Sequence, residues 1–138
     1  MRSNKIPILL AALALIISTL ACALTEMSFD NPRMSFDDAG KEITTSYSPD
    51  QQFNVVADLN NAPKGTTVEA KWYRVNVSGG DPGPIETEKE NVMNIEEETW
   101  SGYVSFSLSN ADGWKPGEYK AELYLNGELK HTVNFSVK

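Results

Sequence analysis

One cysteine and one histidine are all that 138 residues offer. A single thiol cannot close a disulfide within the chain, so an exported fold must hold by its core alone. One imidazole leaves a metal site short of ligands and a Ser–His–Asp triad short of partners. No Gly-x-Ser-x-Gly occurs, and no Asp-x-Asp-x-Asp-Gly spacing. Cations are also scarce, 12 Lys and Arg against 19 Asp and Glu for a net charge of −7. That balance argues against nucleic acid, whose phosphates need cationic neutralisation. It argues equally against an electrostatic grip on anionic lipid headgroups. After residue 25 no apolar period of 3.6 persists over three turns, so no amphipathic helix is expected there.

What the acidic residues avoid is informative. None precedes Glu26, while Arg2 and Lys5 precede an apolar run from Ile6 to Leu24. A positive start, an apolar middle and small residues at its end form an export signal. Three fates follow. The stretch Thr19-Leu20-Ala21-Cys22 resembles a bacterial lipobox, with a small residue before the cysteine, although Thr19 and Leu20 depart from the usual residues there. That resemblance implies cleavage after Ala21 and a diacylglycerol thioether on Cys22. Ala21-Cys22-Ala23 also reads as an A-x-A site, cut after Ala23. Uncleaved, the run is just long enough to span a bilayer as one anchor helix. The position of the lone cysteine favours lipidation. Each fate exports the rest of the chain, which makes the expected location extracytoplasmic, and lipidation makes it membrane-anchored, at the cell surface or periplasmic face. Loss of residues 1–21 would leave ten cationic residues against nineteen anionic ones.

The expected organisation is a signal segment over 1–21, a tether over 22–30 and one all-β domain over 31–138. Turn residues punctuate short alternating runs. Phe53, Val55, Ala57 and Leu59 share one phase, as do Val104, Phe106 and Leu108, and Tyr119, Ala121, Leu123 and Leu125. Asn126-Gly127 between two such runs is a strong signal for a type I′ hairpin. Val68, Ala70 and Trp72 occupy one phase and Tyr73, Val75 and Val77 the other, which predicts a bulge or a strand covered on both faces at its far end. Residues 41–48 read as a strand, and 85–98 as one or two weak edge strands. Seven to eight strands in about a hundred residues predict a β-sandwich.

The stretches GTTVEAKWY (65–73) and GWKPGEYKAELYLNGELKHTVNFSV (113–137) resemble bacterial extracytoplasmic immunoglobulin-like domains, many of them in uncharacterised lipoproteins. The resemblance implies an immunoglobulin-like sandwich and export, and brings no catalytic residues. Within it, Trp72 suits the buried tryptophan of a central strand and Tyr119 a tyrosine corner.

A few other residues invite chemistry. His131 falls in the inward phase of the last strand, where a structural role outweighs a ligand role. Glu96, Glu97 and Glu98, with Asp81 or Asp112 in neighbouring loops, invite calcium, but a run of like charges is usually a solvated face. Glu86, Glu88 and Glu90 alternate as carboxylates guarding a sheet edge would. Trp114 reads as a cap over the open end of the core, its indole N–H bonded to backbone. Trp100 divides evenly between such a cap and a platform for sugar rings. Asn76 and Asn134 head glycosylation sequons that read as accidental here. The resulting expectation is a non-enzymatic, lipid-anchored binding or structural module without cofactor, with a protein or glycan partner at the cell surface. A secreted carbohydrate-binding accessory domain is the alternative, and a small hydrolase the weakest reading.

Overall fold

The computed structural model describes residues 26–87 and 91–138. The signal segment, Cys22 and the expected anchor helix lie outside the described residues. Among those described there are nine strands and no helix, so none long and apolar enough to cross a membrane. They are β1 (Ser28–Ser35), β2 (Ser46–Tyr47), β3 (Phe53–Pro63), β4 (Thr67–Val77), β5 (Gly83–Pro84), β6 (Val92–Asn94), β7 (Thr99–Leu108), β8 (Gly117–Leu125) and β9 (Glu128–Val137). One sheet has the order β1-β3-β7, antiparallel throughout. The other runs β2-β9-β8-β4, with β5 and β6 both on the far edge of β4. Among the described strands, only β2 and β9 are parallel.

Alternation explains how the two sheets meet. Phe53, Val55, Ala57 and Leu59 of β3 are fully buried, and so are Val68 of β4 and Ala121 and Leu123 of β8. These inward residues form one cluster with Trp72, Val104, Phe106, Phe135 and Val137. Phe53 is its hub. Its ring centroid lies 4.3 Å from Trp114, 4.7 Å from Phe135, 5.1 Å from Tyr47 and 5.5 Å from Tyr119. Stacked, tilted and edge-on pairs of this kind add to what burial alone contributes.

Local turn chemistry sets the register. Asn126 (φ +52°) and Gly127 (φ +81°) form the two-residue turn between β8 and β9, both in the left-handed region that a I′ turn requires. The change of phase in β4 is a bulge, where the pairing with β8 shifts between Arg74 and Asn76. A buried polar knot fixes the crossing from β1 to β2. The Asn54 side chain donates to the carbonyls of Ser35 and Phe36 (3.2 and 3.0 Å) and accepts from Gln52 and Ser107 (3.0 and 2.7 Å). With all four capacities used, its burial carries little penalty. The Tyr47 hydroxyl donates to the Ser35 carbonyl at 2.7 Å beside it.

Three expectations need correction. The domain begins at Ser28, not residue 31: Phe29 is buried and β1 pairs with β3 from Ser28↔Asn60 onward, so the last residues assigned to the tether belong to a strand. The strands number nine among the described residues, because residues 85–98 and the Gly83–Pro84 pair supply short ones. Of residues 41–48, only Ser46–Tyr47 form a strand, while Ile43 makes a lone bridge to Ser35. That segment has to leave one sheet for the other, so it cannot pair along its length with either.

Burial pushes the Tyr47 hydroxyl up to about 12. A folded-state value above the unfolded one means this contribution to stability is complete below pH ~10 and is lost as pH rises towards 12. Tyr47→Phe should therefore lower stability at neutral pH by about 1 kcal/mol, and flatten its decline between pH 10 and 12. Urea titrations across that range check both effects; an unchanged alkaline slope would show that Tyr47 is not the titrating group.

Candidate functional site at the loop end of the sandwich

Three loops converge at one end of the sandwich: residues 48–52, 78–82 and 109–116. Trp114 is their keystone. Its backbone N–H donates to the Pro49 carbonyl at 2.7 Å and its indole N–H to the Gln51 carbonyl at 3.0 Å. Its rings stack on Phe53, 18° from parallel. The indole thus closes the core on one side and ties two loops together on the other. The Tyr119 hydroxyl donates to the Lys115 carbonyl at 2.6 Å, which holds the chain where it turns from loop into β8. Burial raises the Tyr119 pKa, partly countered by the nearby Arg74 guanidinium.

Around these anchors lies an open cleft of about 710 Å³. Pro49, Val77, Trp114 and Pro116 give it apolar walls, while Arg74, Asp81, Asp112 and Lys115 supply charge. Arg74 reaches it because the bulge in β4 breaks the alternation beside it. Its Nε donates to the Asp81 carbonyl at 3.0 Å, and the Lys115 ammonium donates to the Gly79 carbonyl at 2.9 Å. Each cation pins the 78–82 loop and keeps further donors free by chemistry, since guanidinium carries five N–H groups and ammonium three. Asn110 organises its own turn, donating to the Gly113 carbonyl and accepting from the Asp112 N–H. The set is suited to gripping a polar ligand against an apolar wall.

The other residues singled out in the sequence lie apart from this cleft. Trp72 is buried on β4 and donates its indole N–H to Asn91 at 3.3 Å. Trp100 is half-buried at the start of β7 and packs against the edge of the core. Its indole lies over Gly102, where an added Cβ would stand 3.0 Å from the ring. One ring face is thereby spent on the strand. His131 points at the other sheet: its Nε2 lies 2.7 Å from the Phe29 carbonyl and its ring 5.2 Å from the Phe29 ring, which latches β9 to β1. Donation to a carbonyl places a proton on Nε2. Glu96, Glu97 and Glu98 are exposed in the β6–β7 loop. Glu86 is exposed after β5, and Glu88 and Glu90 lie outside the described residues. Asn76 and Asn134 are exposed on β4 and β9. Among the described residues, no group of three or more His, Cys, Asp or Glu is placed to hold a metal ion.

Sequence reasoning named Trp114 and Tyr119 but missed Arg74 and Lys115. It also missed the outward face of the larger sheet, where Lys71 sits over the Tyr124 ring at 4.6 Å and Lys120 over Tyr73 at 5.1 Å. The polar phase of β4 and β8 carried the signal for that face. A hydrogen bond to the Glu122 carboxylate pushes the Tyr124 hydroxyl up to about 12.

No family model matches this chain. A search of curated proteins also returns no match. Among solved structures it is similar to a β-glucosidase from Erythrobacter marinus, at 17% identity and TM-score 0.51, over 83% of this chain and 16% of that one. It is similar to a β-glucosidase from Listeria innocua in complex with isofagomine at 14% identity and TM-score 0.51, with the same coverage. A Niemann-Pick type C2 protein from Japanese carpenter ant matches at 18% identity and TM-score 0.43, over 85% of this chain and 96% of that one. The chain thus spans 16% of the length of either β-glucosidase. What the β-glucosidases share with it, at these identities, is a fold of packed β-sheets.

Proposed function

We propose that this chain is a non-enzymatic binding module of immunoglobulin-like type, held outside the cytoplasmic membrane by a lipid on Cys22, and that the loop-end cleft takes its ligand. The cleft carries the reading: apolar walls and charged groups of both signs meet there, on loops fixed by Trp114, Tyr119 and Arg74. Fixed loops on a sandwich are where a rigid scaffold presents recognition. The immunoglobulin-like assignment draws support from Trp72 in a central strand and from the Tyr119 corner. His131 is engaged with backbone, which leaves the cleft without an imidazole base.

A photo-crosslinking residue at Asp112, on the cleft rim, should capture one defined protein or glycan on intact cells. Arg74→Ala should weaken that capture about tenfold, the loss of a charge-assisted hydrogen bond. Equal capture from Thr132, on the outer face of β9, or none from either position, would overturn the cleft assignment. Turnover in an esterase, glycosidase and peptidase screen, abolished by Asp81→Asn, would overturn the non-enzymatic assignment. The N-terminal peptide from host membranes should carry diacylglycerol on Cys22; a peptide beginning at Leu24 or Met1 removes the lipid anchor.

The second reading is a carbohydrate-binding accessory domain. The observation in its favour is the meeting of apolar walls with carboxylates and guanidinium in one cleft, groups that can bond sugar hydroxyls. Quenching of Trp114 emission by oligosaccharides distinguishes it.

A further inference from the structure

Every sheet has edges, and an unprotected edge strand is a template for another strand. Four of the five edge strands among the described residues are blunted. β1 carries Pro32 and a bulge between Asp30 and Arg33. β2 is two residues long and runs into Pro49. β5 is Gly83–Pro84 alone. β6 is three residues long and leads into Glu96, Glu97 and Glu98.

β7 has none of these devices. It runs ten residues, Thr-Trp-Ser-Gly-Tyr-Val-Ser-Phe-Ser-Leu, with no proline and no charge. It pairs with β3 without interruption from Gly102 to Leu108, and among the described residues no strand lies on its other side. Its outward row is Ser101, Tyr103, Ser105 and Ser107, with Tyr103 about half exposed.

We propose that β7 pairs antiparallel with β7 of a second copy of this chain, joining the two three-stranded sheets into one six-stranded sheet across a two-fold axis. Charge selects a second copy. A chain of net −7 meets itself with least repulsion along a strip without carboxylates, and 99–108 is such a strip. The strand is also self-complementary. Directly opposed residues must share a face, so the axis passes through a residue and not between two. With the axis at Tyr103, the two Tyr103 rings meet on the outer face and Ser101 opposes Ser105. On the inner face Gly102 opposes Val104, and Trp100 opposes Phe106. The half-buried indole of Trp100 would then be covered from the side that the monomer leaves open. This surface is separate from the loop-end cleft, and the inference does not rest on the cleft's function.

Tyr103→Cys in the full chain tests it. Opposed Cα atoms in an antiparallel pair are about 4.5–5.5 Å apart, within reach of a disulfide. Mild oxidation should give a dimer linked through position 103 of each copy. Ser101→Cys should give none, because the two copies of residue 101 would stand about 13 Å apart along the strands. Thr132→Cys and the parent chain with Cys22 alone should also give none. In sedimentation, Tyr103→Lys should be monomeric where the parent chain is dimeric, with unchanged β-sheet circular dichroism to show that it is folded. A monomeric parent chain, equal crosslinking from Ser101→Cys or Thr132→Cys, or a disulfide between the Tyr103→Cys variant and a different polypeptide would each overturn the self-pairing.

Discussion

Phe53→Ala should cost about 3–5 kcal/mol, the range for removing a buried phenyl ring from a core. The upper half is expected, because the void has little freedom to collapse. Phe53 is fully buried between residues of both sheets. Its neighbours are held by their polar ends. Trp114 is bonded to the Gln51 carbonyl, Tyr119 to Lys115 and Tyr47 to Ser35. An aromatic pinned through its N–H or O–H cannot swing into the gap without breaking that bond, so the cavity persists. Against a typical total of about 5–15 kcal/mol, the loss would leave the domain marginal or unfolded. Urea unfolding followed by tryptophan emission measures it. Phe36→Ala, at a ring nearly half exposed, provides the control, with an effect near ~0.5 kcal/mol. A loss below about 1 kcal/mol for Phe53→Ala would mean that the pinned rings do repack.

Gly117→Ala should be comparably severe for a different reason. Gly117 has φ +148°, a conformation that L side chains rarely adopt. A Cβ there would overlap the Asn76 carbonyl oxygen and stand 2.7 Å from the Val77 Cα. Those are backbone atoms of the adjoining strand, so no rotamer change relieves the clash. Strain of ~1–3 kcal/mol from the dihedral and a similar amount from overpacking add to about 2–6 kcal/mol. Gly127→Ala isolates the two contributions. Gly127 also has positive φ, but nothing lies within 4 Å of its would-be Cβ. Only the dihedral cost applies there, about 1 kcal/mol. Thermal unfolding of the two variants side by side is the measurement. Equal losses would show that the approach of Gly117 to β4 is not tight.

Strands with strict alternation and a hydrophobic phase were legible from sequence: β3, β7, β8 and β9, with the Asn126-Gly127 turn setting the β8–β9 register. Their period follows from facing one core, which is local information. Whatever depended on a distant partner was less legible. Phe29 looked like part of a tether because the contacts that make it core lie far along the chain, among them His131, 102 residues away. Asn54 looked like an outward residue, yet it is buried because the crossing segment after β1 folds over it. Val56, also in the outward phase, is buried too. The cleft was half legible. Trp114 and Tyr119 announce themselves by type and by position at a loop end. Arg74 and Asp81 reach it from a different part of the chain, Arg74 from beside a bulge that was one of two readings of the phase change in β4.

The strand order has a consequence for how the molecule can be divided. Each sheet takes strands from both halves of the chain: β1 and β3 need β7, while β2 and β4 need β8 and β9. A break in any loop between β3 and β7 therefore separates members of both sheets at once. Neither fragment would keep a complete sheet to fold upon, and neither would keep a full set of faces to close around Phe53. Cooperativity is thus written into the connectivity, and the whole span from Ser28 to Val137 must be gained or lost as one unit.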